Sequence, residues 1–134
     1  MTARGLLDDR LHFIKHKGQA IFVLDFSECS AKELILLLEM VRASVARHSQ
    51  GSLLCLADLT GARFDKQAAT KAKEVLVLDK PYVKKSAWVG TESLPHVYYE
   101  NFKSFSQRDF PTFKTREEAM EWLVEDEDQD ITRG

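Results

Sequence analysis

The chain has few cysteines. Only Cys29 and Cys55 occur in 134 residues, too few for a disulfide framework, and Cys55 lies within an apolar run, which predicts a plain core residue. Long hydrophobic runs are missing as well. Leu34–Leu38 stops at five residues, where a membrane helix needs about 18 or more, so no integral membrane segment is expected. No basic-then-apolar pattern opens the sequence, which predicts a cytoplasmic protein. Excess charge of one sign is absent: 19 basic against 21 acidic residues leave a net charge of −2. That balance argues against a nucleic-acid partner and against an acidic solvating chain.

Several chemistries are excluded in the same way. Gly61 and Gly90 stand alone, with no GxGxxG or GxxxxGK(S/T) loop to cradle a phosphate. No Cys/His cluster has zinc spacing. His12 and His16 would share one face of a strand about 13 Å apart, too far for one metal, and His48 and His96 are isolated. Cys29 falls near a helix start, where a thiol pKa can drop, but no His neighbours it in sequence. Neither a metal, a cofactor nor an enzymatic activity is expected. No internal repeat and no linker divides the chain.

What is present is one ordinary domain's worth of alternating patterns. With 44% hydrophobic and 30% charged residues the composition is that of a globular protein. Residues 1–10 read as a polar lead-in. Leu11–His16 and Ala20–Phe26 read as strands joined at Lys17-Gly18, a β-hairpin. The second is apolar on both alternate sets and should be internal. Ser30-Ala31-Lys32-Glu33 is a capping-box pattern opening a helix to about His48, with Leu34, Leu37, Leu38, Val41 and Val45 as its core stripe. Ile35, Leu36 and Met40 fall outside the stripe, as a second packed side or a partner surface. Ser52–Ala57 is the next strand. Asp65 caps a second helix whose narrow face is Ala68, Ala69, Ala72, Val75 and Leu76, ended by Pro81.

Lys85–Gly90 is a further strand. Ser93-Leu94-Pro95 reads as an N-cap with Pro in the first turn of a helix whose aromatic face is Val97, Tyr98, Phe102 and Phe105. The aromatic group Tyr98, Tyr99, Phe102, Phe105 and Phe110 is expected in the core. Phe110–Phe113 contains Pro111 and is at best an edge strand. Thr115–Glu118 repeats the capping-box pattern before a last helix that buries Ala119, Trp122 and Leu123. Glu125–Asp130 has no core face, and residues 125–134 read as an acidic, disordered tail. The order β-β-α-β-α-β-α-β-α predicts a single α/β domain over residues 11–124. Its sheet should be mixed but mostly parallel, with about five strands and four helices.

This order resembles the STAS domain of sulfate transporters and anti-sigma factor antagonists, and more narrowly the small bacterial STAS/CRAL-TRIO-like proteins. The resemblance is carried by Leu24-Asp25-Phe26-Ser27, Leu56–Gly61 with Phe64-Asp65, Lys80–Val83, Ala87-Trp88-Val89-Gly90 and Arg108-Asp109-Phe110 before Thr115–Ala119. It implies a regulatory module that works by protein–protein contact or self-association. In the family's signalling members a Ser or Thr of an Asp-Ser-Ser-Gly motif is phosphorylated. Asp58-Leu59-Thr60-Gly61 has that spacing, with Thr60 as acceptor. Aligning the strand and Phe64 instead puts Asp65-Lys66-Gln67-Ala68 there, without a hydroxyl. The second register is preferred, and the phospho-switch is then expected to be absent.

Independently of the resemblance, ligands of parallel sheets gather at the carboxyl ends of strands. The candidate contact residues are therefore Ser27, Asp58, Thr60, Gly61, Lys66, Gly90 and Thr91. Helix starts nearby could favour a small anionic ligand, and a lipid-like ligand is a further alternative. The segment from Arg63 to Lys85 holds seven basic and three acidic residues, whereas Glu117–Asp130 holds eight carboxylates and no base. Either is a solvated face or a surface that steers an oppositely charged partner.

Overall fold

The computed structural model describes residues 7–125. The acidic tail expected over residues 125–134 lies outside them apart from Glu125, as do the first six residues of the lead-in. The chain forms one five-stranded sheet in the order β1-β2-β3-β4-β5. The strands are β1 (Leu11–His16), β2 (Gln19–Asp25), β3 (Leu53–Asp58), β4 (Val83–Val89) and β5 (Thr112–Phe113). β1 pairs antiparallel with β2, and every later pair is parallel. The helices are α1 (Ala31–Val45), α2 (Lys66–Asp79), α3 (His96–Ser106) and α4 (Arg116–Leu123). The expected architecture and element order are thus observed.

Period-two alternation divides the core between the two faces of the sheet. Phe22, Leu24, Cys55, Ala57 and Trp88 face one side, under α1, α2 and α3. Ile21, Val23, Leu54, Leu56, Ala87 and Val89 face the other, under Ala119 and Leu123 of α4. All six residues of β3 are buried, as its continuous apolar run requires of a strand covered on both faces. Trp88 stacks on Phe110 with ring centroids 4.4 Å apart and meets Phe102 edge-on at 6.2 Å.

Side chains fix the helix starts. Ser30 closes a full capping box: its hydroxyl accepts from the Glu33 amide at 3.2 Å, and the Ser30 amide donates to Glu33 Oε1 at 2.9 Å. Asp65 accepts from the Ala68 amide at 2.8 Å. The second expected box is only half formed. Thr115 accepts from the Glu118 amide, but the Glu118 carboxylate meets the Thr115 hydroxyl rather than its amide.

Four expectations are corrected. α1 stops at Val45, and the backbone turns at Ala46–His48. Ser93 does not cap α3. Thr91–Ser93 form a 3-10 turn, Pro95 is the N-cap, and the Ser93 hydroxyl accepts from the Gly61 amide at 3.0 Å. Phe105 and Val97 are not core: they are 59% and 60% exposed. α3 buries Phe102 and Ser106, with Tyr98 and Tyr99 half-buried, so its inner face follows a spacing of four rather than three. Leu7, expected within a polar lead-in, is 2% exposed and joins the core under α1. Met40 is also buried, which resolves it as a second packed position.

Candidate functional site

β2 and β3 end in the same short motif. Each closes with an aspartate, an apolar residue and a hydroxyl residue: Asp25-Phe26-Ser27 and Asp58-Leu59-Thr60. Asp25 and Asp58 are direct neighbours in the parallel register, so both carboxylates emerge on one face. Each takes the same two bonds from two residues on. Asp25 Oδ1 accepts from the Ser27 amide at 3.0 Å and its hydroxyl at 2.5 Å. Asp58 Oδ1 accepts from the Thr60 amide at 3.0 Å and its hydroxyl at 2.7 Å. A short carboxylate reaching its own backbone two residues on is the natural way to end a strand in a turn.

Two arginines from distant parts of the chain close the arrangement. Arg116, first residue of α4, donates through Nε and Nη2 to Asp58 Oδ2 at 2.9 and 2.8 Å and stands 3.5 Å from Asp25 Oδ1. Arg10 donates to the carbonyls of Asp25 and Ser27 at 3.1 and 2.7 Å and lies 3.8 Å from Asp25 Oδ1. Burial opposes the charge on Asp58, but the Thr60 hydroxyl and amide and Arg116 together hold its carboxyl below the usual range. The charged form therefore stabilises the fold above the ordinary aspartate pKa, and that contribution is lost as the pH falls through the lowered value. Arg116→Met should cost about 1–2 kcal/mol near neutral pH, a buried-pair loss discounted for the partial exposure of Arg116. Thermal melts across pH check this: the deficit should shrink on acidification, once Asp58 is protonated in both proteins.

The loops beyond these turns pack against one another. The Glu28 amide donates to Thr60 O at 2.8 Å, and Leu59 N to Val89 O at 2.9 Å. Gly61 and Gly90 have φ of +68° and +72°. A Cβ on Gly61 would strike the Glu28 carboxylate, and one on Gly90 would lie 2.7 Å from Thr60 Cα. Of the expected contact residues, the structure therefore joins Ser27, Thr60 and Gly61 at the surface, with Asp58 and Gly90 buried against them. Thr91 opens the 3-10 turn beside it. Lys66 is the exposed first residue of α2, and no contact ties its side chain to the group. The surface also carries Glu28, which the sequence reading did not single out, as it missed Arg10 and Arg116. The repeated Asp-x-Ser/Thr pattern was a usable signal for the twin turns; nothing local marks the arginines.

A second polar group lies inside the sheet–helix core. Asp79, the last residue of α2, is 4% exposed, and no group among the described residues hydrogen-bonds its Oδ1. It lines an internal cavity of about 60 Å³ together with Ser86, Arg108, Cys55, Trp88 and Phe102. Burial, only partly offset by Arg108 and Arg42, pushes its carboxyl up to about 6. Arg108 donates to Leu76 O at 3.0 Å, tying the end of α2 to the chain before β5. Cys29 and Cys55 are buried, and burial pushes their thiols up to about 11 and 12, so neither is activated.

No family model matches the chain, and no curated protein does. Among solved structures it is similar to an uncharacterized protein of the DUF3478 family with a SpoIIAA-like fold, from Shewanella loihica. That protein superposes with a TM-score of 0.62 at 14% identity, over 85% of this chain and 92% of its own. The likeness is one of fold: the SpoIIAA-like, STAS-type arrangement expected from the order of elements. No helix among the described residues is long and apolar enough to cross a membrane.

Proposed function

We propose that the chain is a non-enzymatic interaction module that meets a partner protein through the loops at the carboxyl ends of β2, β3 and β4. The observation that carries this reading is the internal pairing of the site's reactive groups. The Ser27 and Thr60 hydroxyls turn back on the aspartates of their own turns, and the Thr60 and Arg116 bonds hold the Asp58 carboxyl below the usual range, which makes it a poor base for activating a hydroxyl. Helix starts that could hold an anion are likewise filled, by Glu33 at α1 and Asp65 at α2. Arg10 and Arg116 offset Asp25 and Asp58, so the exposed Glu28 is the charge that suits a protein contact with basic groups. The fold is consistent with such a role, though fold alone never specifies one.

The reading is tested by affinity capture from the native host with two surface variants, Glu28→Lys and Thr60→Glu. A specifically retained protein should be lost with Glu28→Lys, whose folding is checked by circular dichroism. Thr60→Glu separates a contact from a switch, because a glutamate cannot donate to Asp58 as the threonine hydroxyl does. A partner retained equally by both variants would contradict the assignment of this surface.

A further inference from the structure

β4 has a strand neighbour on its outer side only at Trp88 and Val89, opposite Thr112 and Phe113. Val83–Ala87 have none there among the described residues, but Ser86 and Ala87 are buried, so the accessible edge is Val83–Lys85. A cleft of about 460 Å³ runs along this uncovered stretch. Four of its lining residues are cations, Lys80, Lys84, Lys85 and Arg108, and one, Asp109, is an anion. Three of the four are held in place by backbone carbonyls. Lys80 donates to Gln107 O at 3.2 Å, Lys85 to Trp122 O at 2.7 Å, and Arg108 to Leu76 O at 3.0 Å. All three bonds end on carbonyls, and none of the four cations joins an ion pair among the described residues.

The cations flank the strand on both faces of the sheet. Lys85 lies on the α4 side, its ammonium 4.3 Å from the Trp122 ring centroid. Arg108 lies on the other side, over Phe110. An uncovered strand edge presents backbone donors and acceptors that another strand can satisfy, and cations on both sides of it favour carboxylates on both sides of what is added. We propose that this cleft accepts an extended acidic segment of a partner protein as an added strand along Val83–Lys85. The site is separate from the carboxyl-end surface and stands independently of the function proposed for it.

The probe is an acetylated peptide of four alternating glutamate–valine pairs, titrated into the full ¹⁵N-labelled chain. The largest amide shifts should fall at Val83–Ser86. They should weaken with added salt, as exposed charge pairing does. The exposed pair Lys80→Glu and Lys84→Glu should weaken binding about tenfold or more, with the rest of the spectrum unchanged as the sign of an intact fold. Three results would overturn the proposal: no response at these amides with millimolar peptide, equal or larger shifts with an oligothymidylate of the same charge, or binding seen only after neutralising Glu125, Asp126, Glu127, Asp128 and Asp130. The last would mean that the chain's own acidic run competes for the cleft.

Discussion

Gly90→Ala should destabilise the fold by about 3 kcal/mol or more, combining the left-handed backbone cost with an overpacking cost. Gly90 has φ +72°, and its added Cβ would press on the backbone of Thr60, which cannot swing aside as a flexible side chain could. Gly51 supplies the internal comparison. Its φ is +68°, yet nothing lies within 4 Å of its added Cβ. Gly51→Ala should therefore cost only the backbone component, about 1–2 kcal/mol. Urea unfolding of the two variants isolates the close approach between the ends of β3 and β4. Equal losses would mean that the two loops yield freely and that the carboxyl-end surface is not rigid. A larger loss for Gly90→Ala, with the Thr60 amide resonance displaced, is the expected outcome.

Asp79→Asn should act in the opposite direction and raise stability near neutral pH. A buried carboxyl with its pKa pushed up to about 6 is destabilising wherever it must be ionised in the fold. Because the folded value lies above the unfolded one, stability is highest when the group is protonated in both states. It declines as the pH rises from the unfolded pKa through about 6, and the loss is complete above that. The asparagine is neutral throughout, so its gain should approach about 2–3 kcal/mol at pH 7 and fade near pH 4. Melting curves at several pH values read this directly. The neighbouring Arg108 keeps its bond to Leu76 O in either protein. A uniform shift at all pH values would instead mark a packing effect.

The sequence showed the strands and helices well because each has its own period. β3 is apolar throughout and lies mid-sheet. Ser30, Asp65 and Thr115 mark helix starts by chemistry that acts over three residues. Readings that depended on a helix's rotation were weaker. Phe105 fits an aromatic stripe with Tyr98 and Phe102, yet the inner face of α3 continues to Ser106, whose hydroxyl bonds back to Phe102 O at 2.6 Å. Leu7 looked like part of a polar lead-in because burial of a single residue leaves no periodic trace. At the candidate site, Asp58, Thr60 and Gly61 were legible as the carboxyl end of a strand. Arg116 lies 58 positions from Asp58 and is brought to it only by the crossing of α4 under the sheet. Asp79 looked like one more charge in a basic segment, since its burial depends on α2 ending over the core.

The partner contact proposed at Ser27, Glu28, Thr60 and Gly61, with Gly90 buried against Thr60, is a preformed surface. Its most direct test is chemical-shift mapping of the ¹⁵N-labelled chain with the protein captured from the native host. Perturbations should concentrate at residues 27–28, 60–61 and 90–93, with the Asp25 and Asp58 turns retaining their hydrogen bonds. Perturbations confined to other faces of the sheet, with those loops unmoved, would contradict it.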